Sequence, residues 1–241
     1  MKRKCEQIYQ PRPGSDNALA FVSYLECLAG FGNNPDSSPD ELIDENQNMD
    51  RAALARLRRT LGKGMNEAFE AFPYVARWTE GLNTWHEQCY YLVAALFAMY
   101  SAKHRARSWH HEQNLKRHQR NLGASFLGLN AKMQEQGQTD ERSKSVERRF
   151  TALLVSRRND LSERLRHAVS LLAAHRVPVD WVQLLDDLRW WEQGERAASS
   201  RSFFISPQRQ WANSFWRVTD EGSQSSGNQQ SNENNDQQLE V

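Results

Sequence analysis

The chain has 241 residues, 39% of them hydrophobic, with 31 Lys and Arg against 30 Asp and Glu, a formal net charge of +1 and a mean hydropathy of −0.81. That length supports one or two modest domains with a real core, and no apolar run approaches bilayer length, which excludes a membrane-spanning helix. The charge is unevenly placed. Residues 103–166 carry fifteen Lys or Arg against seven Asp or Glu, while residues 33–50 hold six acids and residues 221–241 hold four, neither with a base; a basic middle is flanked by acidic stretches.

Taken in order, residues 1–16 contain a Pro-Arg-Pro-Gly run and read as a flexible leader; the start, Met1-Lys-Arg-Lys followed by Cys5, Glu6 and Gln7, lacks the apolar core of a secretory signal. Asn17 to Ala29 reads as a helix with Phe21, Leu25 and Leu28 on one face and Gly30 at its end. The acidic stretch 30–48 is long for a loop inside a compact domain. Asp50 caps a helix whose apolar face is Leu54, Leu57 and Leu61, and whose Arg56, Arg58, Arg59 and Lys63 are expected to share the opposite face. Met65 to Trp78 reads as helical, bent or restarted at Pro73. Thr84 with Glu87 forms a capping-box pattern opening a long helix through Tyr91, Leu92, Ala95, Leu96 and Met99, the apolar centre of the first half. Residues 103–124 read as a basic, histidine-rich connection or as the polar end of that helix.

The stretch from Ser145 to Trp191 is the most patterned. Val146, Phe150, Leu153 and Leu154 form one helical stripe, with Arg148 across the helix from it and Arg149 on its flank. Asp160 with Glu163 announces a second helix carrying Leu161, Leu165, Ala168, Val169 and Leu172, with Arg166 projecting off the stripe. Pro178 stops it, and Asp180 caps a third with Trp181, Leu184, Leu185, Leu188 and Trp191. Ser206 and Pro207 open one more helix bearing Trp211, Phe215 and Trp216, after which the Ser/Gln/Asn-rich residues 221–241 are too polar to fold. No strand pattern and no internal repeat occurs. The expected fold is all-α: two packed helical bundles, 17–122 (with the acidic loop 30–49) and 123–220, between a leader at 1–16 and a disordered tail at 221–241.

Catalytic and metal patterns are weak. His104, His110, His111 and His118 have no converging spacing or carboxylate and cysteine partners, and no HExxH or CxxC occurs, so no metal and no cofactor is expected. Asp186-Asp187 and Asp44-Glu45 are adjacent acids that a helix splays apart, and no nucleophile elbow or phosphate loop is present; no catalytic residue and no enzymatic activity are assigned. The three cysteines, Cys5, Cys27 and Cys89, are an odd set without paired spacing and suit a reducing cytosol, Cys27 and Cys89 reading as core residues. Trp181 and Trp191 read as core and Trp190 as the exposed one. The arginines carry the strongest signal: Arg142, Lys144, Arg148, Arg149, Arg157, Arg158, Arg164 and Arg166 crowd one region, and forked guanidinium donors suit phosphates. A solvated helix face paired to Glu147, Asp160 and Glu163 would look the same in composition.

The segments RAALARLRRTLG (51–62), EAFPYVARW (70–78), NLGASFLGL (121–129), ERRFTALL (147–154), LSERLRH (161–167) and VDWVQLLDDLRWW (179–191), in this order, resemble the CasB family, the small subunits of the type I-E CRISPR surveillance complex Cascade. The resemblance implies a non-catalytic, all-helical, cytoplasmic subunit contacting the backbone and large subunits and a second copy of itself. It further implies that a basic surface steadies the guide RNA–target duplex and the displaced non-target DNA strand of the R-loop, with no membrane partner. The family's basic positions fall by match on Arg58, Arg59, Arg148, Arg149, Arg158 and Arg166; charge clustering adds Arg142, Lys144 and Arg164. The acidic loop, the basic 103–124 segment and the polar tail depart from a minimal member. The competing reading is a stand-alone helical DNA-binding or interaction protein such as a regulator, which would need a recognition helix after a turn; the turn between Arg157 and Asp160 lacks the glycine such a motif favours.

Overall fold

The structure, a computed structural model, describes residues 2–12, 16–31, 49–64, 67–103, 120–137, 140–192 and 205–224. Its regular elements are all helical and no strand occurs among the described residues. The order is α1 (Lys2–Ile8), α2 (Ala18–Leu28), α3 (Arg51–Arg59), α4 (Phe72–Val75), α5 (Thr84–Lys103), α6 (Leu122–Glu135), α7 (Asp140–Leu154), α8 (Arg158–Ala174), α9 (Trp181–Arg189) and α10 (Pro207–Gln224).

Helix α5 organises the rest. Its side chains are apolar nearly all round, and Tyr90, Tyr91, Val93, Ala95, Leu96 and Phe97 are buried around most of its circumference; such a helix has to be covered from several sides. α3 and α4 pack on it from the first half of the chain, α8 and α9 from the second. The boundary expected at 122/123 falls at the start of α6, and one continuous apolar cluster holds residues from both sides of it. Trp181 meets Phe97 and Tyr100 edge-on, each at 5.5 Å between ring centroids. Two polar links cross the same seam: Tyr100 Oη donates to the Val177 carbonyl at 2.8 Å, and Trp85 Nε1 donates to the Leu188 carbonyl at 3.0 Å.

The helix ends follow local chemistry. Asp50 and Asp180 accept from the Ala53 and Gln183 amides, each at 2.9 Å, as the sequence predicts. At α5 the cap is Asn83, one residue before the expected Thr84, its Oδ1 accepting from the His86 amide at 2.9 Å. α8 begins at Arg158, so Asp160 lies inside the first turn, where a carboxylate still complements the helix dipole. α2 and α8 both close with the two backbone bonds of a Schellman motif, Phe31 N to Glu26 O and Gly30 N to Cys27 O in one, Val177 N to Leu172 O and Arg176 N to Ala173 O in the other. The left-handed residue is Gly30 in the first and Arg176, at φ 53°, in the second.

Several expectations are corrected. The leader contains helix α1, whose Cys5 is fully buried against α2 and disulfide-bonded to Cys27 across a Cα–Cα distance of 5.8 Å. The bond corrects the reading of the cysteines as an unpaired set with Cys27 an ordinary core residue: a separation of 22 residues gives no hint of the pairing while α1 is read as unstructured, and Cys89 alone remains a buried free thiol. Among the described residues of the expected helix Met65–Trp78, only Phe72–Val75 is α-helical, followed by a 3₁₀ turn at Ala76–Trp78, because Pro73 fits a first helical turn and nowhere deeper. α10 runs to Gln224, into the stretch assigned to the tail. Residues 32–48 and 225–241, most of the acidic loop and of the tail, lie outside the described residues.

α10 closes the second half against α6 and α7. Trp211 Nε1 donates to Asp187 Oδ2 at 2.6 Å, and Gln183 Nε2 donates to the other carboxylate oxygen at 2.6 Å, which compensates a carboxylate only 2% exposed. Gly123 faces the α10 backbone so closely that a Cβ there would come within 2.8 Å of Trp211 Cα. Gly123→Ala should therefore cost about 1–3 kcal/mol. On the same helix Gly128 has nothing within 4 Å of a built Cβ, and Gly128→Ala should gain about 0.5–1 kcal/mol. Urea denaturation midpoints of the two variants check the pair, and equal midpoints would contradict the α6–α10 packing.

Candidate nucleic-acid interface

Helix α3 buries Ala53, Leu54 and Leu57 and leaves Arg51, Arg56, Arg58 and Arg59 exposed. The expectation that Arg56, Arg58, Arg59 and Lys63 form one face does not hold. Residues two apart on a helix stand about 200° apart, and the structure divides the set accordingly. Arg56 donates to Tyr74 Oη at 3.3 Å, and Arg59 pairs with Glu70 through Nε at 2.8 Å and a terminal nitrogen at 2.7 Å. That pair holds the Glu70 carboxyl below its usual range, chiefly through the Arg59 hydrogen bond. Arg58 turns the other way and, with Arg51, borders an open cleft of about 490 Å³ against Ala98, Ser101 and Lys103 of α5.

A second, larger groove of about 710 Å³ runs between α7 and α8. Its cationic wall is Arg148 and Arg149 from α7 with Arg164 from α8, beside His167, over a floor that includes Phe126, Ala168 and Leu171. The stripes Val146–Phe150–Leu153 and Leu161–Leu165–Ala168 pack inward, and helical geometry then puts the arginines between them at the rim. Lys103, in the last turn of α5, borders both clefts and donates to Ser170 Oγ at 2.7 Å. It joins the Arg51–Arg58 edge to the Arg148–Arg149–Arg164 groove as one cationic surface, and a lysine at that helix end is favoured by the dipole.

The remaining assigned residues divide. Arg142 is exposed near the start of α7, and Lys144 sits with Arg148 in a shallow depression beside Glu141, 3.9 Å from its Nζ, and Glu147. Arg166 makes two hydrogen bonds to Glu163, at 3.1 and 2.7 Å, and these hold the Glu163 carboxyl below its usual range; His167 Nε2 lies 2.8 Å from the same carboxylate. Exposed pairs of this kind are worth little and can open toward a phosphate. Arg158 differs. Its Nε and a terminal nitrogen both donate to the Trp191 carbonyl, at 3.1 and 2.7 Å, and its guanidinium lies 4.4 Å from the Trp85 ring centroid. The forked donors that would suit a phosphate tie the start of α8 to the end of α9. Among the tryptophans, Trp181 and Trp191 are core and Trp190 is 40% exposed, as expected.

Sequence reasoning placed Arg51 on the basic arc of α3 without assigning it to the site, and missed Lys103 and His167. Lys103 was legible only as the first cation after a long apolar helix. No group of three or more metal-ligating side chains occurs among the described residues; His104, His110, His111 and His118 lie outside them. Burial pushes the Cys89 thiol up to about 12, which keeps it protonated near neutral pH. Asp186 turns to Arg189, at 3.2 Å, while Asp187 turns inward, so the adjacent acids are splayed as predicted. No described helix is long and apolar enough to cross a membrane.

The two kinds of arginine should separate in denaturation. Arg148→Ala, Arg149→Ala and Arg164→Ala are expected to shift stability by no more than about 0.5 kcal/mol. Arg158→Ala, which strips a charged donor pair from the Trp191 carbonyl, should cost about 1.5–3 kcal/mol. Guanidinium unfolding curves measure all four.

Residues 53–216 match the family model described as CRISPR-associated protein Cse2. A CRISPR-associated protein Cse2 of Thermus thermophilus is 31% identical over 153 residues, 62% of this chain and 75% of that protein. The crystal structure of M. ruber CasB is similar over 88% of this chain and 98% of its own, with a TM-score of 0.57 and 27% identity. A chain of a CRISPR RNA-guided surveillance complex shares the fold at a TM-score of 0.57 and 22% identity, over 87% of this chain and 97% of that one.

Proposed function

Because the chain belongs to the CRISPR-associated Cse2 family, we propose that it is a non-catalytic small subunit of the type I-E Cascade surveillance complex in the cytoplasm, where its basic surface steadies the guide RNA–target duplex and the displaced DNA strand. The observation that carries this reading is the joining of two cationic clefts through Lys103. Arg58, Arg148, Arg149 and Arg164 on that surface have long, rotamer-rich side chains suited to a backbone whose phosphates are regular while its bases change from target to target. Guide pairing supplies sequence recognition in such complexes, so the protein's contribution is backbone-led and sequence-tolerant. Arg142, Lys144, Arg59 and Arg166 extend the same surface outward, the last two after exchange of Glu70 and Glu163 for phosphate. The proposed partners are the backbone and large subunits and a second copy of this chain, in keeping with the related fold found within a CRISPR RNA-guided surveillance complex.

The test is salt-dependent binding of a single-stranded oligodeoxynucleotide, followed by R-loop lifetime in reconstituted complex. Each lost phosphate contact should lower the slope of log K against log salt by about 0.7, so the Arg148→Ala, Arg149→Ala, Arg164→Ala triple variant should lose about two units of slope and shorten the R-loop lifetime. An unchanged slope and lifetime would remove these residues from the interface. Sequence-discriminating binding to duplex DNA, without assembly into a complex, would favour a stand-alone regulator instead.

A further inference from the structure

Away from the two basic clefts, a cavity of about 300 Å³ opens between the end of α3, the first half of α5 and the first turn of α8. Its apolar wall is Trp85 with Leu92 and Ala95, and Gln88, Asn159 and Ser162 place amides and a hydroxyl around it. Gly62 and Gly64 stand at its edge, where a built Cβ would meet nothing within 4 Å, and exposed Lys63 lies between them. The Trp85 indole is fixed by its bond to the Leu188 carbonyl, and the Arg158 guanidinium that covers it is fixed by two bonds to the Trp191 carbonyl. The result is a rigid, flat, cationic stack beside a small cavity. The start of α8 also borders it through Arg158, Asn159 and Ser162, and Lys63 is the exposed cation at its edge.

We propose that this cavity is a binding site for one unpaired nucleobase of a single strand that follows the basic surface, the base lodging against the Trp85–Arg158 stack and its phosphate held by Lys63. The inference rests on the reading that the surface binds single strands. The size, about 300 Å³, is at the low end of ligand pockets and suits a single nucleobase. The amide and hydroxyl groups of Gln88, Asn159 and Ser162 match the donor and acceptor edge of a base, whereas an apolar side chain from a protein partner would leave them desolvated and unpaired. Aromatic and guanidinium faces stack on any base, so such a site tolerates every sequence. It also gives Arg158 a role other than phosphate binding: a plate held in place by the fold.

Two strands of equal length separate the site from the phosphate track: one of mixed sequence, one with every base replaced by an abasic sugar. Fluorescence anisotropy with the full chain should show the base-bearing strand binding about tenfold tighter. Ser162→Phe puts a ring into the cavity and leaves residues Trp85 and Arg158 themselves unaltered; with its fold checked by circular dichroism, it should bind both strands equally. Equal binding of the two strands by the unaltered protein would overturn the base site while leaving single-strand binding in place. A tenfold margin that survives in Ser162→Phe would move the base contact elsewhere and overturn it too. Saturable binding of dAMP at the concentrations that saturate the strand would make this a free-nucleotide site, against the proposal. Binding of neither strand would bring down the reading on which the site rests, and the site with it.

Discussion

A helix that is apolar on nearly all its faces cannot stand at a surface, and α5 is such a helix. Its twenty residues bury Tyr91, Ala95, Leu96 and Phe97 in different directions, so chain from before it and from after it must both wrap it. That requirement explains why α3 and α8, about a hundred residues apart in sequence, lie against one support and why their outer cations come near each other. The polar end of α5 cannot be buried in the same way. It emerges at Lys103, and the only cation in the last turn of the central helix therefore stands where the α3 edge meets the α7–α8 groove.

Arginine does two kinds of work in this protein, and burial decides which. Arg77 lies 4.6 Å from the Tyr24 ring and 4.9 Å from the Trp78 ring and donates to the Tyr9 carbonyl; Arg189 reaches Asp16 at 3.0 Å and Asp186 at 3.2 Å; Arg158 holds Trp85 and Trp191. Each bonds main chain or an acid far away in sequence and acts as a structural pin. Arg58, Arg148, Arg149 and Arg164 lie on outer faces over apolar floors and keep their rotamer freedom. Arg59 and Arg166 lie between these classes, paired to exposed carboxylates that water already screens.

Much of this was legible in the chain. The stripes of α7, α8 and α9, the Asp50 and Asp180 caps, the central place of α5 and the burial of Trp181 and Trp191 all follow from spacing, because a helix writes its buried face every three or four residues. What spacing does not carry is the pairing of distant elements. The Cys5–Cys27 bond depends on α1 folding back on α2, and α1 has too few residues to announce itself as a helix. Arg158 looks like its exposed neighbours because nothing local says that the Trp191 carbonyl will lie beneath it. The mistaken single face of α3 is a different failure, since 100° per residue was enough to place Arg56 and Arg58 on opposite flanks.

The distribution of rigidity follows from the same division. On the proposed function, a ligand that changes sequence with every target would not be read through fixed hydrogen bonds to base edges, so exactness at the outer cations would gain nothing and cost side-chain entropy. Exactness is found at the seam between the two halves, where Trp85, Arg158, Trp191 and the Leu188 carbonyl fix one another within hydrogen-bonding and stacking distance. Placing the ordered contacts there holds α5, α8 and the end of α9 in register. On the proposed function, the loose side chains would follow an irregular strand while the helices that carry them stay put.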